Sequence, residues 1–477
     1  MMRRRWQWIC AAPSLGLAVG CATLDATIGD PPPQVRAQAS EPITVRPTGI
    51  EAAPAAAAQP TSTILEVTLD AVLQMAECQN VALAAARERV QQAYAEEQLA
   101  AKSWIPDISV GAGYYRHEGG IQLQEGPLIK SSTGAALAGA DVSARLDPRI
   151  VLFNKLDAAR KLKQQQGEYR KVTTDVLLDA AGTYVDLLAA HSGLALARAL
   201  QSDLQALRDR AEKLASLEKG ARVEVVRIDS ELSGQAQMVR KLEGQAKSAA
   251  AKLAYLLGLD PCIDLMPADP RLVAFPLTDA DVPTCELISR ALACGPGVKE
   301  LEAVLCIVQK GMADAAGPSR FLPTITAQAV EGGFWAGRNS DLDPANRFDL
   351  GVQARWNVTE LCTADIRRRI SSSLQQQAQL TYCDLRGKLT LGVQEAQEAI
   401  ISGREQLKHA ESQIEQAKSA TDLSEVRLRE AIPGATFSEV LLAQRALAGA
   451  RANYLSILRE YDKAQLRLMV LTGCRQQ

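Results

Sequence analysis

The chain has 477 residues, a formal net charge of −2 and 47% hydrophobic residues, but only 4% of its residues are aromatic. The near-neutral charge gives no support for a nucleic-acid partner. An excess of Ala, Leu, Gln, Glu, Arg and Lys is typical of long helices and coiled coils rather than of a compact mixed core. The sequence has no recognisable metal-ligand spacing, phosphate-binding glycine loop or nucleophile elbow, so it predicts no cofactor, no metal site and no enzyme.

Residues 1–20 predict a signal peptide, because three arginines precede a short apolar stretch and a run of small residues that ends before Cys21. The segment "AVGC" resembles the cleavage box of bacterial lipoproteins, which implies acylation of Cys21. Ordinary cleavage just beyond this point is the alternative. Residues 21–65 are rich in Pro and Ala and predict an extended tether. No later stretch approaches the roughly 18 apolar residues that a transmembrane helix needs.

The rest of the chain reads as a tandem duplication with a period of roughly 215 residues. A helical pattern that ends at Gly258 recurs with the same steps before Gly473, and "VSARLD" from Val142 matches "VQARWN" from Val352. We therefore predict a first repeat over residues 66–262 and a second over residues 280–474. A Pro-rich linker, residues 263–279, joins the two repeats.

Each repeat contains one very long predicted helix. In the second repeat, apolar or small residues recur at steps of three and four from Leu389 to Ala417, which is the seam of a coiled coil. The equivalent helix of the first repeat, over about residues 152–218, would extend roughly 100 Å at 1.5 Å per residue. Helices of that reach are not needed in a globular domain.

Each repeat also offers two predicted strands, at about 107–117 and 134–147 and at about 322–334 and 347–359. In the last of them, residues from Phe348 to Val358 alternate between an apolar face and a polar face. Aromatic residues cluster around the strands, as expected where a barrel meets lipid headgroups. Arg145 and Arg355 occupy matching positions on the polar faces.

Four strands cannot close a sheet, and lipid tolerates no open sheet edge. Three chains would supply a closed barrel of 12 strands, with lipid outside and water inside. The fold class predicted is therefore mainly α with a small β part. Long coiled-coil helices would form an α-barrel, and four strands per chain would join a trimeric transmembrane β-barrel. A small soluble sheet that caps a helical bundle is the alternative.

The order of these segments resembles the outer-membrane efflux protein family, the TolC-type channel-tunnels. The resemblance rests on "LPTIT", on "RLDPRIVLFNKLDAARKLKQQ" and "RWNVTELCTADIRRRISSSLQQ", on "AYLLGLDP" and on the duplication. It implies a homotrimer in the outer membrane that extends into the periplasm. It also implies partners, namely a periplasmic adaptor and an inner-membrane transporter. Because of Cys21, the sequence resembles the lipid-modified branch of the family most.

In this family, helix-turn-helix tips in the periplasm carry a glycine followed by an acidic residue that narrows the pore. The resemblance therefore implies tip turns with adaptor contacts at Gly220 and Gly434, and a constriction at Glu224 and Glu439. The spacing from glycine to acid is shorter than the family usually has. Two solvated glutamates near a turn are the alternative.

We therefore predict a passive outer-membrane duct of a tripartite efflux system, gated at its periplasmic tips. A soluble periplasmic coiled-coil scaffold or adaptor without a pore is the alternative, and a channel fold that has lost transport is a third possibility. Cys285 and Cys294 are near enough in sequence to be candidates for a disulfide, although small apolar fillers are as good a reading.

Overall fold

The computed structural model describes residues 64–122, 126–217, 222–260, 263–269, 271–278, 281–316, 322–338, 343–356, 358, 363–430 and 432–473. Its helices are α1 Leu69–Gln79, α2 Val81–Ala101, α3 Pro148–Leu217, α4 Arg222–Leu256, α5 Thr284–Cys294, α6 Val298–Ala316, α7 Ala364–Arg429 and α8 Phe437–Thr472. Its strands are β1 Ile64–Val67, β2 Asp107–Gln122, β3 Leu128–Leu146, β4 Asp264–Pro267, β5 Thr324–Arg338 and β6 Asp343–Arg355. The structure is thus mainly helical, with a smaller β part.

Two very long helices dominate the structure, as predicted. Helix α3 has 70 residues and would measure about 105 Å at 1.5 Å per residue, and α7 has 66 residues. The predicted seam of α7 is buried at Leu389, Val393, Ala396, Ile400 and Ala410. Helix α3 packs against α2, α4, α6 and α8, so this one helix links the first repeat to the second.

The two repeats end in the same local structure. Gly258 follows α4 and Gly473 follows α8, and both have a φ of +65°, in the left-handed region that favours glycine. A Cβ at Gly258 would lie 2.7 Å from the carbonyl oxygen of Gln79, at the end of α1. A Cβ at Gly473 would overlap the carbonyl oxygen of Cys294, at the end of α5. Each repeat therefore closes its last helix against the end of its first.

Strands from both repeats join in one four-stranded antiparallel sheet with the order β2-β3-β5-β6. The register is continuous, from Asp107 opposite Ser143, through Leu146 opposite Ile325, to Thr324 opposite Arg355. The junction between the repeats is the β3–β5 pair. Strands β2 and β6 form the two edges, and neither has a second partner strand among the described residues.

Several predicted boundaries are corrected. The strands are longer than predicted at the ends away from the helices, because their pairing continues there to Gln122, Leu128, Arg338 and Asp343. Strand β6 ends at Arg355 rather than near residue 359, because Arg355 pairs with Thr324, the first residue of β5, and the ladder stops there. Strand β1 begins at Ile64, inside the predicted tether, because residues 64–67 pair in parallel with residues 264–267. That pairing also places strand β4 inside the predicted linker. The predicted features at Cys21 and Gly220 lie outside the described residues.

The candidate disulfide between Cys285 and Cys294 does not form, since both thiols are free and exposed. The two residues lie near opposite ends of α5, so the helical rise separates them by roughly 13 Å, about twice the Cα separation that a disulfide allows.

Among the described residues, no helix has both the length and the apolar character required to cross a membrane.

We expect Gly473→Ala to lower the free energy of unfolding by at least roughly 1–2 kcal/mol, the cost of a left-handed residue with a Cβ. Overlap with the Cys294 carbonyl adds to that cost. Chemical denaturation in detergent measures the change. Gly244→Ala is the matched control, because it lies inside α4 with nothing within 4 Å of the new Cβ. An equal response of the two variants would contradict the assigned role of Gly473.

Candidate functional site

The register gives the sheet one mainly apolar face. Alternate side chains point to opposite faces of a strand, so cross-strand partners share a face. The members of the apolar face are Ile108, Val110, Ala112 and Tyr114 of β2; Ala136, Ala138, Ala140, Val142, Ala144 and Leu146 of β3; Ile325, Ala327, Ala329, Gly333 and Trp335 of β5; and Phe348, Leu350, Val352 and Ala354 of β6. Its large side chains are not covered by the chain, since Val110 is 82% exposed and Val352 is 74% exposed.

The apolar face is bounded by aromatic and charged residues. Tyr114 and Trp335 lie at the end of the face that is furthest from the helices, and Arg116 comes next on the same face of β2. Trp104 and Trp356 are exposed at the end that adjoins the helices. From Ile325 to Trp335 the strand rises roughly 33 Å, which at the usual barrel tilt is about 25 Å of membrane. The face therefore has the height of a lipid-facing band.

Two polar residues interrupt this face. Glu331 lies opposite Phe348, and Asn346 lies opposite Gly333. Nothing in the structure explains why they are there. The other gap, at Gly333, is filled by the indole of Trp335, because a Cβ at Gly333 would lie 2.5 Å from that ring.

The opposite face is mostly polar and rich in glycine, although Leu137, Val330 and Phe334 also lie on it. Asp141 accepts a hydrogen bond from Gln328 at 3.0 Å, and Arg347 contacts Asp349 at 2.6 Å. Gly139 and Gly332 are cross-strand partners, and a Cβ on either would overlap the backbone of the other strand. Because the backbones approach so closely here, side chains larger than hydrogen are excluded from both positions.

Arg145 and Arg355 both lie on this polar face, as their sequence positions predict. The register places Arg145 opposite Thr326 and Arg355 opposite Thr324, so one strand separates the two arginines. Both side chains are exposed, and neither makes an ion pair with a described residue. A role for them in a lumen stays a prediction.

The tips of the two long hairpins are connected by a network around Ser438. The Ser438 hydroxyl, at the start of α8, donates to the Glu224 carboxylate of α4 at 2.5 Å. It also accepts a hydrogen bond from Arg227 at 3.0 Å, and Arg227 pairs with Glu224 at 3.1 Å. Further along the two helices from the tip, Arg445 of α8 pairs with Glu231 of α4 at 3.1 Å. These contacts join the first repeat to the second at their tips.

Glu439 is also paired. Its carboxylate contacts Arg427 of α7 at 2.9 Å, and its N–H donates to the Thr436 hydroxyl that caps α8. Gly434 lies in the turn between α7 and α8 with a φ of +89°. The carboxylates of Glu224 and Glu439 are thus neutralised by arginines of the same chain. Ser438, which sequence reasoning missed, has no signal beyond its place next to Glu439.

A segment between the repeats is attached to the helices by side chains that sequence reasoning also missed. We call residues 271–278 the strap. Leu272 N–H donates to Ser192 of α3 at 3.1 Å, Phe275 N–H donates to Asp462 of α8 at 2.9 Å, and Thr278 N–H donates to Gln465 of α8 at 2.9 Å. Asp462 and Gln465 lie beside the apolar seam of α8, and polar residues directly next to seam positions were the available signal.

Residues 72–259 match the family model described as "Outer membrane efflux protein". The pyoverdine export outer membrane protein OpmQ of Pseudomonas aeruginosa is 25% identical over 394 residues, which is 80% of each chain. The family resemblance predicted from the sequence is thereby confirmed.

Solved structures show the same fold. The outer-membrane channel OprN superposes with a TM-score of 0.72 at 20% identity, covering 85% of this chain and 89% of that one. The Campylobacter jejuni outer membrane channel CmeC gives a TM-score of 0.70 at 15% identity, covering 85% of each chain. The members of this outer membrane efflux protein family are channels rather than enzymes.

Proposed function

We propose that three copies of this chain form an efflux duct across the outer membrane. The observation that carries the proposal is the sheet, which has an exposed apolar face and two open edges. Within lipid, unpaired edge N–H and C=O groups cost several kcal/mol each, so a spanning sheet must close on itself. With four strands per chain, the β2 edge of one copy meets the β6 edge of the next in an antiparallel sense. Three copies would complete a barrel of 12 strands.

The same argument disfavours the alternative of a soluble scaffold or adaptor. In water, an exposed apolar face with long open edges is a site for aggregation. In the proposed trimer the apolar face contacts lipid, and the polar face with Arg145 and Arg355 lines the lumen. The long helices of three copies would continue the duct as an α-barrel through the periplasm, and Cys21, if acylated, would anchor each chain.

The proposed duct is passive, and a periplasmic adaptor and an inner-membrane transporter would supply direction and energy. The relative OpmQ is named for pyoverdine export, which supports outward transport as the role of this chain. Gating would occur at the tips, with the adaptor contacting the turns at Gly220 and Gly434. The contacts of Ser438 with Glu224 and Arg227 would hold the tips together. When those contacts and the Arg227–Glu224 and Arg427–Glu439 ion pairs break, Glu224 and Glu439 would become free carboxylates and form a ring that favours cations.

Leu350→Arg tests the proposed membrane span. Leu350 is on the apolar face and 69% exposed, and arginine facing the bilayer midplane costs roughly 2–4 kcal/mol. We expect the variant to reach the outer-membrane fraction in much lower amount, while the wild type extracts in detergent as a trimer. Gly351→Arg is the control, because the adjacent residue lies on the polar face with nothing within 4 Å. Recovery of a monomer in the soluble fraction, insensitive to both changes, would favour the scaffold alternative.

Ser438→Ala combined with Arg427→Ala tests the gate. The first change removes the link between the tips, and the second frees the Glu439 carboxylate. We expect the double variant to conduct several-fold more than the wild type in planar bilayers and to prefer cations more strongly. Arg240→Ala is the control, because this arginine forms an exposed ion pair within α4, away from the tip. Unchanged conductance would rule out a gate made of these contacts.

Arg145→Gln with Arg355→Gln tests the lumen assignment. Loss of two positive charges per chain from the polar face should shift the reversal potential in a salt gradient towards cation selectivity. Arg116→Gln is the control, since Arg116 lies beyond the aromatic boundary on the other face and pairs with Glu118. A shift of equal size in the control would place the two arginines outside the conduction path.

A further inference from the structure

The buried carboxyl group of Asp462 is the least expected feature of the helical region. Asp462 is 0% exposed, and it follows Leu458 by one turn and precedes Leu466 by one turn, both of which belong to the largest apolar core. One carboxyl oxygen accepts the Phe275 N–H of the strap. No described residue donates a hydrogen bond to the other oxygen, Oδ2. A carboxylate in such a place has no compensation for the water it has lost.

The strap depends on side chains rather than on regular structure for its attachment. Its backbone groups are satisfied by Ser192 of α3 and by Asp462 and Gln465 of α8. Gln465 holds Thr278 twice, because it accepts from the backbone N–H and, at 2.5 Å, from the hydroxyl. Phe275 packs on the core between these anchors. The strap thus bridges a helix of the first repeat and a helix of the second.

Among the described residues, the polar groups on the elements packed against this part of α8 do not include a counter-ion for Asp462. Those on the packed elements are Tyr184 of α3, which donates to Asp269 of the inter-repeat segment; Tyr454 of α8; Lys463 and Arg459 of α8, which pair with Asp186; and Arg404 of α7, which pairs with Asp281. Burial raises the pKa of Tyr454, and Glu411 and then Asp462 add to that rise. The cations on these elements have carboxylates of their own. Ionised Asp462 would therefore be an unpaired buried charge.

Burial raises the pKa of Asp462 to about 7, and the Phe275 N–H opposes the rise without cancelling it. When the strap opens, water reaches the Asp462 carboxyl, and its pKa returns towards 3.8. A group with a raised pKa in the closed state stabilises that state at low pH, and the stabilisation is lost as the pH rises towards 7. Acid therefore favours the closed strap and alkali favours the open one.

We propose that Asp462 is a proton-dependent attachment site for the strap. It holds the strap on α8 when its carboxyl is protonated and releases the strap when the carboxyl is ionised. Protonation removes the buried charge and leaves the Phe275 hydrogen bond in place. Ionisation is relieved by local opening, which lets water reach Oδ2. Because the strap joins α3 to α8, its release loosens a connection between the two repeats. The proposal concerns the fold itself and does not depend on transport.

Hydrogen–deuterium exchange tests this proton-dependent attachment. The exchange of the full chain in detergent is measured on peptides that cover residues 271–278. Between pH 6 and pH 7 the closed carboxyl is protonated and the open one is ionised, so opening should rise about tenfold per pH unit and then level off. After correction for intrinsic exchange, we expect about tenfold faster exchange at pH 8 than at pH 6. Peptides from the middle of α7 should exchange at the same corrected rate at pH 8 and at pH 6.

Asp462→Asn is the decisive variant, because its Oδ1 still accepts from Phe275 and its amide does not titrate. We expect its pH ratio to fall to about one. Gln465→Ala is the matched control, since it loosens the strap at every pH but keeps the carboxyl, so its ratio should stay about tenfold. A tenfold ratio in the Asn variant, or a ratio near one in the wild type, would overturn the proposal. If the Asn variant does not fold, the wild-type and Gln465→Ala ratios still decide it.

Discussion

The need to satisfy backbone hydrogen bonds at the two edges of the β2-β3-β5-β6 sheet governs the rest of the architecture. A sheet with one exposed apolar face is stable in lipid only when every edge N–H and C=O has a partner, and within the part of the chain that the structure describes the outer edges of β2 and β6 are open. An even number of antiparallel strands per chain allows copies to continue the alternation without a parallel pair. In the proposed trimer, oligomerisation is therefore part of folding, because closure removes a cost that no rearrangement within one chain can remove.

The two predicted repeats each contribute one long hairpin to the helical region, α3–α4 and α7–α8. Equivalent glycines, Gly258 and Gly473, close each repeat by the same left-handed turn. The repeats nevertheless differ where they meet: Ser438 links their tips, and the strap crosses from α3 to α8. Polar contacts of this kind are worth little each in water but respond to protons and to competing charges. Such contacts suit connections that must break, whereas the apolar seams maintain the helices throughout.

Sequence patterns predicted the long-range features more reliably than the local ones. The seam of α7 and the alternation around Phe348 were correct because burial follows periodicity directly. The end of β6 was misplaced, since a strand ends where its partner ends, and the start of β5 cannot be read from residues 347–359. The pairing of the tip carboxylates was not predicted: Arg427 reaches Glu439 from the preceding helix, and Arg227 shares Ser438 with Glu224. Those pairings depend on how the helices are rotated.

By itself the sequence determined the long helices, the two-faced strands and the resemblance to outer membrane efflux proteins, because each of these follows from the spacing of residues along one chain. Only the tertiary structure decided which strands are neighbours, that Gly139 meets Gly332, and that Asp462 lies in the core without a counter-ion. The physical reason is that a hydrogen bond, a steric limit or a desolvated charge depends on which residues lie next to one another in the folded chain. Residues opposite one another here are often more than a hundred positions apart in sequence, as Phe275 and Asp462 are.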